Sequence, residues 1–357
     1  MLKNNLQTKI KLSNNFTISN SNKCFIVAEI SANHSGSLNI LKKTMMAAKK
    51  AGANAVKIQT YEADSMTLKV KNKHFLINDE SIWKGQQLYD LYKKAETPYK
   101  WHNEIFSFAK RNKIFCFSAP FDLTAVDLLE KLNCPIYKIA SPEIEDLQLI
   151  EKIAKTKKPI IISTGIASEN DIKRAIKICV KSNNFKIVLL NCISSYPAKK
   201  FELNLKYLDV LKKYCPIVGY SDHSDSDLAS IISVANGAKV IEKHFILNKK
   251  IKSPDSSFSH DPTQLKNLVN KIRDAEVMLG SKKIDKKKII KKKLKTVSRS
   301  IFYSSDILKG EKISLLNIKS VRPGTGLSLK HFKKIIGKKV KKYCKFGQPV
   351  RLKDIIF

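Results

Sequence analysis

The sequence predicts an α/β protein, a (β/α)8 TIM barrel followed by a small C-terminal β-rich domain. Short apolar runs alternate with amphipathic stretches, and there are eight such runs, the number that closes a parallel barrel. Polar side chains follow each run, as in barrels whose strands carry function at their carboxyl ends. A doubly wound open sheet also alternates strand and helix, but polar ends on all eight runs favour the closed form.

The predicted strands and helices follow from this alternation. The strands are Cys24–Ile30, Ala55–Gln59, Ile114–Ser118, Ile136–Ala140, Pro159–Thr164, Ile187–Cys192, Ile217–Ser221 and Val240–Phe245. The clearest helices between them are Leu38–Ala51, Asp122–Leu132, Glu169–Val180, Leu228–Ala235 and Pro262–Leu279. Ser168, followed by early acidic residues, predicts a capped helix start.

Composition predicts four segments. Residues 1–22 form a polar N-terminal extension rich in Asn, Ser, Thr and Lys, and residues 23–280 form the barrel domain. Residues 281–296 are a lysine-dense linker. Residues 297–357, with short β-like pieces and turn glycines, form the small β-rich domain.

The net charge of +36 points first to a nucleic-acid or anionic-membrane partner. Only six of the 67 basic residues are arginine, so 61 (67 − 6) are lysine. Phosphate and base recognition favours the arginine fork, whereas dispersed lysines mainly solvate a surface. We therefore expect no nucleic-acid partner, although a basic nucleic-acid-binding protein is the alternative from another functional class.

Cysteine usage and the N-terminal residues predict a cytoplasmic protein. The seven cysteines are scattered and form no Cys-x-x-Cys pair, which suits reduced thiols. The first 22 residues lack the apolar stretch of a signal peptide, and no later segment is long and apolar enough to span a membrane. We expect no membrane partner.

Two histidines on successive predicted strands are candidate metal ligands. His223 and His244 each close an apolar run at the functional end of the barrel, and neutral imidazole binds Mn²⁺, Fe²⁺ or Zn²⁺. A single histidine there is more often structural, but two together favour a metal site. Strand alternation is expected to point Asp222 and Glu242 away from the neighbouring histidine, in supporting roles.

Lysines and serines at neighbouring strand ends predict an anion site. Lys57 and Lys138 lie within apolar strands, where a cation is costly unless it has an anionic partner. The alternatives are a buried ion pair with an acid such as Glu29 and a Schiff-base nucleophile. Serines at other strand ends favour a cradle for phosphate and carboxylate, and they are Ser118, Ser141, Ser163, Ser194 and Ser221.

Glu29 ends the first strand and faces the same mouth of the barrel. It is a candidate general acid or base, and equally a counter-ion for the lysines.

With these residues in place, the sequence resembles the sialic acid synthase family, which condenses phosphoenolpyruvate with an N-acetylated sugar. The resemblance runs from about residue 22 to the end, and the small domain is similar to the antifreeze-like SAF module of that family. Within the family the chain is most similar to the pseudaminic acid synthases, through Ser31–Ala32 before Asn33 and the segment from Trp83 to Trp101. The matching motifs are Ala28–His34, Val56–Thr60, Tyr137–Ser141, Ser163–Gly165, Ser195–Pro197, Ser221–Ser224, Glu242–Phe245 and Arg322–Gly324.

The resemblance implies a role for each candidate residue. His223 and His244 would bind a divalent metal, Mn²⁺ before Mg²⁺ or Co²⁺, and Glu29 would be the active-site glutamate. Arg322 would meet the N-acetyl group of the amino sugar, supplied by the partner subunit of a domain-swapped homodimer. The residues implied to bind the substrates are Lys57, Gln59, Ser118, Lys138, Ser141, Ser163, Ser194, Tyr196, Ser221, Asp255 and Arg322.

The departures from the family pattern bear on which amino sugar is the substrate. Ser194 stands where N-acetylneuraminate synthases often have asparagine, and Ser226 stands where a glycine is common. The alternatives are therefore an N-acetylneuraminate or legionaminate synthase, and a Schiff-base aldolase that uses Lys57 or Lys138.

Overall fold

Eight parallel strands close into a barrel in the first of two compact units, which confirms the predicted fold class. The computed structural model describes residues 2–79, 81–280 and 296–357, and the first unit ends at Gly280. A short hairpin, β1 (Lys9–Lys11) and β2 (Thr17–Ser19), precedes the barrel. The barrel strands are β3 (Phe25–Glu29), β4 (Ala55–Thr60), β5 (Cys116–Pro120), β6 (Tyr137–Ile139), β7 (Ile160–Ser163), β8 (Ile187–Cys192), β9 (Val218–Asp222) and β10 (Val240–His244).

The five predicted helices lie close to their predicted positions, and the structure adds others. Leu38–Ala51 and Pro262–Leu279 have the predicted bounds, and Ser168 caps its helix by accepting from the backbone N–H of Asp171. The helices are α1 (Leu38–Ala51), α2 (Ala63–Met66), α3 (Leu88–Ala95), α4 (Tyr99–Arg111), α5 (Leu123–Lys131), α6 (Leu147–Lys155), α7 (Glu169–Lys181), α8 (Tyr207–Tyr214), α9 (Asp227–Ala235) and α10 (Pro262–Leu279). None of the described helices is both long and apolar enough to span a membrane.

The strand register brings polar residues of different strands together at the carboxyl ends. Each strand pairs with the next in sequence, and the ring closes where β10 pairs with β3, from Val240 opposite Phe25 to His244 opposite Glu29. On the other side of β3, Glu29 is opposite Lys57. Paired residues of parallel strands share a face, so this register places three candidate residues side by side.

The first 22 residues contribute to the barrel core. Ile10 and Ile18 are opposite each other in the hairpin, are fully buried and join the apolar cluster of the barrel. Phe16 packs edge-on against Phe25 and Phe115, with ring centroids 5.5 Å away in both cases. The polar composition of the extension therefore conceals a packed hairpin.

The second unit is a small β structure with its own core. Its elements are β11 (Ser300–Tyr303), β12 (Ile318–Val321), α11 (Phe332–Ile335), β13 (Lys339–Val340) and β14 (Ile355–Ile356). The strands pair antiparallel, β11 with β12 and β13 with β14, around a buried cluster that includes Ile301, Tyr303 and Val350. The predicted basic linker, residues 281–296, lies outside the described residues apart from its last one.

Candidate active site

Two histidines meet at the carboxyl-terminal end of the barrel. His244 ends β10, and His223 directly follows β9, the neighbouring strand. Their ring centroids are 5.4 Å apart, and both side chains are buried.

Both histidines are prepared to act as neutral nitrogen donors. Nδ1 of His223 donates to the carbonyl of Ile193 at 2.6 Å, which leaves its other ring nitrogen with a free lone pair. Burial lowers the pKa of His223 to about 4 and holds the pKa of His244 well below its ordinary value. Nδ1 of His244 is buried without a hydrogen bond, 3.6 Å from a carboxylate oxygen of Asp255.

These features fit a divalent ion bound by two imidazoles. In the part of the chain that the structure describes, no group of three or more His, Cys, Asp or Glu side chains is arranged to hold a metal. A metal here would therefore keep several coordination positions for water and substrate, as in an open catalytic site.

A buried network of charges lies inside the barrel, and we call Glu29, Lys57 and Glu242 the inner network. Nζ of Lys57 is 3.1 Å from Oε2 of Glu29 and 3.1 Å from Oε1 of Glu242. Gln59 donates to Oε1 of Glu29 at 3.1 Å, and Ser221 donates to Oε1 of Glu242 at 3.0 Å. Lys57 is thus a buried ion-pair partner, the structural alternative raised by the sequence.

Burial and charge act differently on the members of this network. Burial raises the pKa of Glu29 to about 7, with Lys57 opposing the shift. Burial also acts to raise the pKa of Glu242, but the charges of Lys57 and Lys138 outweigh it and the pKa is lowered. For Lys57, the two carboxylates outweigh burial and raise the pKa. Glu29 is therefore the carboxyl group of the network that can exchange a proton near neutral pH.

Lys138 is a buried cation with no carboxylate at ion-pair distance among the described residues. Its Nζ donates to Oγ of Ser163 at 2.7 Å and to the carbonyl of Ile139 at 2.9 Å. Burial lowers the pKa of Lys138 because neutral oxygens do not compensate its charge fully. Such an ammonium group favours a bound anion.

Gly165, two residues after Ser163, allows polar side chains from the ends of two strands, β6 and β8, to converge. A Cβ at this position would lie 2.7 Å from Oγ of Ser194, 2.8 Å from Sγ of Cys192 and 2.9 Å from Oγ of Ser141. Any side chain would occupy the space between them. Ser141 and Ser194, predicted at the ends of the two strands that flank β7, therefore meet at Gly165, two residues after the Ser163 that contacts Lys138.

Ser118 is not brought together with the other serines. Its register partner is Ile58, which alternation places on the opposite face from Lys57. The Ser118 hydroxyl is hydrogen-bonded to Oγ1 of Thr60 at 2.5 Å, and Thr60 in turn contacts Nε2 of His102 in α4 at 2.8 Å. Ser118 therefore belongs to a buried polar chain between the barrel and the helix layer.

Two further predicted residues lie in different units. Asp255 is buried in the loop after β10, accepts from the backbone N–H of Ala32 at 3.4 Å, and has its pKa raised by burial. Arg322 directly follows β12 in the second unit and is exposed.

Aromatic side chains pack against the histidines, and we call Trp83, Tyr196 and Phe258 the aromatic wall. The ring centroid of Tyr196 is 4.3 Å from that of His223, 5.1 Å from that of Phe258 and 5.6 Å from that of Trp83. Phe258 is 4.9 Å from His244. The two candidate ligands thus share one apolar flank. Trp83 begins the segment that the sequence singled out, whereas sequence reasoning had not assigned Phe258 to the site.

The expectation for Glu242 is wrong. Glu242 does not point away from His244, because residues two apart on a strand share a face, and its carboxylate reaches Lys57. Asp222 does point away from His223, its direct neighbour, and pairs with Lys243 at 3.2 Å. Because Glu242 lies two residues before His244 on β10, strand alternation applied correctly would have placed its side chain in the site.

Glu143 is a second carboxyl group that sequence reasoning missed. It lies in the short 3-10 turn Pro142–Glu145, two residues after Ser141, and its Oε2 is buried without a hydrogen-bond partner among the described residues. Burial raises the pKa of Glu143 to about 7, and the charge of Lys138 opposes the shift. A loop acid has no periodic signal, and its only marker was its closeness in sequence to a strand end.

Comparisons with known proteins agree with this geometry and with the resemblance seen in the sequence. The NeuB family matches residues 44–284, and the SAF domain matches residues 298–356. Pseudaminic acid synthase of Helicobacter pylori is 44% identical over 333 residues, 92% of this chain and 97% of that protein. The enzyme of the same name from Campylobacter jejuni serotype O:2 is 46% identical over 334 residues, 93% of this chain and 96% of that protein.

Among solved structures, N-acetylneuraminic acid (sialic acid) synthetase from Leptospira borgpetersenii has a TM-score of 0.71 and 30% identity, covering 80% of this chain and 96% of that one. The sequence match and the shared fold lead to the same assignment. The chain belongs to the NeuB family, the family of the sialic acid synthases, and it carries a SAF domain at its C-terminal end.

Proposed function

We propose that this protein is a pseudaminic acid synthase. It would condense phosphoenolpyruvate with 2,4-diacetamido-2,4,6-trideoxy-altropyranose and water to give pseudaminate and phosphate. The observation that carries the proposal is the buried Lys138, which has no carboxylate at ion-pair distance among the described residues and contacts Ser163, inside the same barrel as two neutral histidines. One part suits an anionic substrate and the other a carbonyl oxygen, which are the needs of this two-substrate reaction.

The phosphoenolpyruvate would bind at Lys138. The ammonium group would neutralise negative charge on the substrate, and the hydroxyls of Ser141, Ser163 and Ser194 would donate hydrogen bonds to its oxygens. Because Lys57 is already paired with two carboxylates, its contribution would be to keep those carboxylates in place and to moderate their charge.

His223 and His244 would hold the divalent metal, for which Mn²⁺ is our first expectation and Mg²⁺ or Co²⁺ are the alternatives. When bound, such an ion polarises the aldehyde oxygen of the open-chain sugar. The histidines suit this purpose because burial keeps them unprotonated, so that their nitrogens are free to coordinate.

The reaction forms one carbon–carbon bond, and it needs a group that can give and accept protons. C3 of phosphoenolpyruvate attacks the aldehyde carbon, and the aldehyde oxygen takes up a proton and becomes a hydroxyl. Water adds at C2 and loses a proton, which leaves a hydroxyl there. The bond between C2 and the phosphate-ester oxygen then breaks, phosphate leaves, and the C2 hydroxyl loses its proton as it becomes the keto group. Glu29, with a pKa raised to about 7, can give or accept these protons at neutral pH.

The aromatic wall supports a sugar with apolar substituents. The proposed sugar has two acetamido methyl groups and a methyl group at C6, and aromatic rings beside the histidines offer the surface on which such groups are buried. The indole N–H of Trp83 donates to the carbonyl of Pro254 at 3.0 Å, which fixes this part of the wall. The identity of 44% and 46% to two pseudaminic acid synthases also favours this sugar.

The proposal includes a cytoplasmic homodimer. Seven free and buried cysteines are consistent with a reducing compartment. As the family resemblance implies, the exposed Arg322 would be supplied by the other subunit to the sugar's acetamido group.

The direct test is phosphate release. Purified protein is incubated with phosphoenolpyruvate, Mn²⁺ and, in separate reactions, the diacetamido-trideoxy sugar, its legionaminate-type isomer and N-acetylmannosamine. We expect phosphate release fastest with the first sugar. Faster release with another sugar would transfer the assignment to that synthase, and release with none of them would reject the synthase function. Borohydride trapping of a sugar on the protein would instead support the Schiff-base aldolase.

A further inference from the structure

Tyr61 continues the row of side chains that forms the inner network. It directly follows β4, in which Lys57 and Gln59 both contact Glu29 at 3.1 Å. Residues 57, 59 and 61 are two apart, so alternation places Tyr61 on the same face, one step nearer the mouth of the barrel. Neither the sequence motifs nor the function proposed above assigns it a role.

The ring of Tyr61 is held tightly. The side chain is 3% exposed, and it packs edge-on against Phe121 with ring centroids 5.2 Å apart and against Tyr92 at 6.0 Å. These contacts come from the loop after β5 and from α3, so the ring has little freedom to move the hydroxyl elsewhere. The phenol is therefore preorganised.

The hydroxyl of Tyr61 has no hydrogen-bond partner among the described residues, although the residue is almost wholly buried. The hydroxyls of Tyr220 and Tyr303 are also without partners, but they are enclosed by protein, and that of Tyr61 is not enclosed in this way. Buried polar groups are normally paired, and one that remains open at a binding site is usually paired by the ligand.

The surroundings of this hydroxyl are those of the proposed sugar site. Burial raises the pKa of Tyr61 above its ordinary value, and the nearby Asp255, Tyr92, Glu96 and Glu29 act in the same direction. The phenol is therefore neutral at physiological pH and can donate a hydrogen bond. Asp255 is also the carboxylate 3.6 Å from Nδ1 of His244, so one of the groups that act on Tyr61 borders the histidine pair.

We propose that Tyr61 is a substrate-binding residue whose hydroxyl donates a hydrogen bond to an oxygen of the amino sugar. The inference rests on the proposed function, because it needs a sugar substrate at the histidines. The chemistry requires an acceptor, and a sugar hydroxyl or an acetamido carbonyl supplies one. Tyr61 thus contributes to holding the sugar, while Lys138 holds the anionic substrate.

The test compares Tyr61→Phe with Tyr220→Phe as a matched control. Each substitution removes one unpartnered hydroxyl and keeps the ring, so neither should lower the melting temperature. For Tyr61→Phe we expect the KM for the diacetamido-trideoxy sugar to rise about tenfold, with the KM for phosphoenolpyruvate within twofold of the wild-type value. For Tyr220→Phe both KM values should be unchanged.

Sugar binding, measured by calorimetry on the metal-loaded proteins, separates the two proposals. A wild-type protein that binds the sugar without releasing phosphate would reject the synthase function, and a tenfold weaker Kd for Tyr61→Phe would still support the role of Tyr61. An unchanged sugar KM and Kd in Tyr61→Phe would overturn the inference. So would a lowered melting temperature with both KM values altered, since that pattern indicates a structural role. A wild-type protein that neither binds nor converts the sugar would overturn both.

Discussion

Two buried charge networks meet at β10, where Glu242 and Lys243 point to opposite faces of the strand, and they differ in how completely their polar groups are paired. On the outer face, which faces the helices, Asp222 and Lys243 form an ion pair at 3.2 Å with both side chains fully buried. Asp222 also accepts from the Ser224 hydroxyl at 2.7 Å and the Ser230 hydroxyl at 2.6 Å, and Lys243 donates to the carbonyl of Ser224. We call this the outer network.

The inner network is incomplete by comparison. Among the described residues, Oε2 of Glu242 has no hydrogen-bond partner, and Oε2 of Glu29 has the ion pair with Lys57 but no well-directed hydrogen bond. Lys138, whose charge acts on Glu242, has only neutral hydrogen-bond partners in the part of the chain that the structure describes. Native proteins rarely leave buried polar groups unpaired. We therefore interpret the outer network as structural and the inner network as a binding site whose unpaired groups are paired by bound ligands.

Breaking the outer network should give the largest effect, and on stability alone. Lys243→Met leaves the Asp222 carboxylate buried without its cation, which should lower the free energy of unfolding by about 3–5 kcal/mol. Urea unfolding measures the loss, and the activity per folded molecule should stay within twofold. The double variant Asp222→Asn/Lys243→Met should recover part of the loss. A strong loss of kcat in the folded single variant would show that the outer network also takes part in the reaction.

Removing the Lys138 cation, next to the inner network, should lower activity and leave stability unchanged or higher. Lys138→Met replaces an uncompensated ammonium group by an apolar side chain of similar length, so the melting temperature should stay or rise. The value of kcat/KM for phosphoenolpyruvate should fall by about 100- to 1000-fold, as for loss of one essential charge-stabilising donor. Steady-state kinetics and thermal unfolding give the two readouts. Retained activity would contradict anion binding at Lys138.

A smaller effect is expected in the pH dependence of stability, through the buried carboxyl group of Glu143. The pKa of Glu143 is about 7 in the folded protein against an ordinary 4.5, so folded Glu143 keeps its proton between these values while the unfolded chain releases it. Wild-type stability should therefore fall as pH rises through this window, and Glu143→Gln should lack that decrease. Between pH 5 and pH 8 the difference in unfolding free energy should change in favour of the variant by roughly 2 kcal/mol.

The control for this measurement is Glu145→Gln, which changes an exposed carboxylate of the same turn. Its unfolding free energy should follow the wild-type curve at both pH values. A pH-independent difference for Glu143→Gln would mean that the Glu143 carboxyl group is ionised in the folded protein, and so not part of a poorly solvated site.

The barrel and the histidine pair could be predicted because they depend on patterns that extend over only a few consecutive residues of the sequence. Eight apolar runs with polar ends are visible in the sequence, and the strand order then follows from the closed parallel topology. His223 and His244 end up together because they end neighbouring strands. The Lys138–Ser163 contact follows from the same rule, since β6 and β7 are adjacent.

The rest depends on side-chain direction and on loops. Ser118 is one residue away from an inward position, and a strand end alone does not reveal which face a serine takes. Glu143 and Trp83 lie in turns, where no periodicity marks a buried or functional face. Ile10 and Ile18 are isolated apolar residues in a polar stretch, and only the hairpin shows that both are buried.

The closure of the barrel also governs the order in which the chain can fold during synthesis. Phe25 pairs with Val240, which emerges from the ribosome 215 residues later (240 − 25), and the backbone N–H of Cys24 reaches Glu276 of α10. Until β10 has been made, one edge of β3 has no neighbouring strand, and an unpaired strand edge is prone to aggregation. A nascent chain that stalls before residue 240 should therefore depend on chaperones to stay in solution.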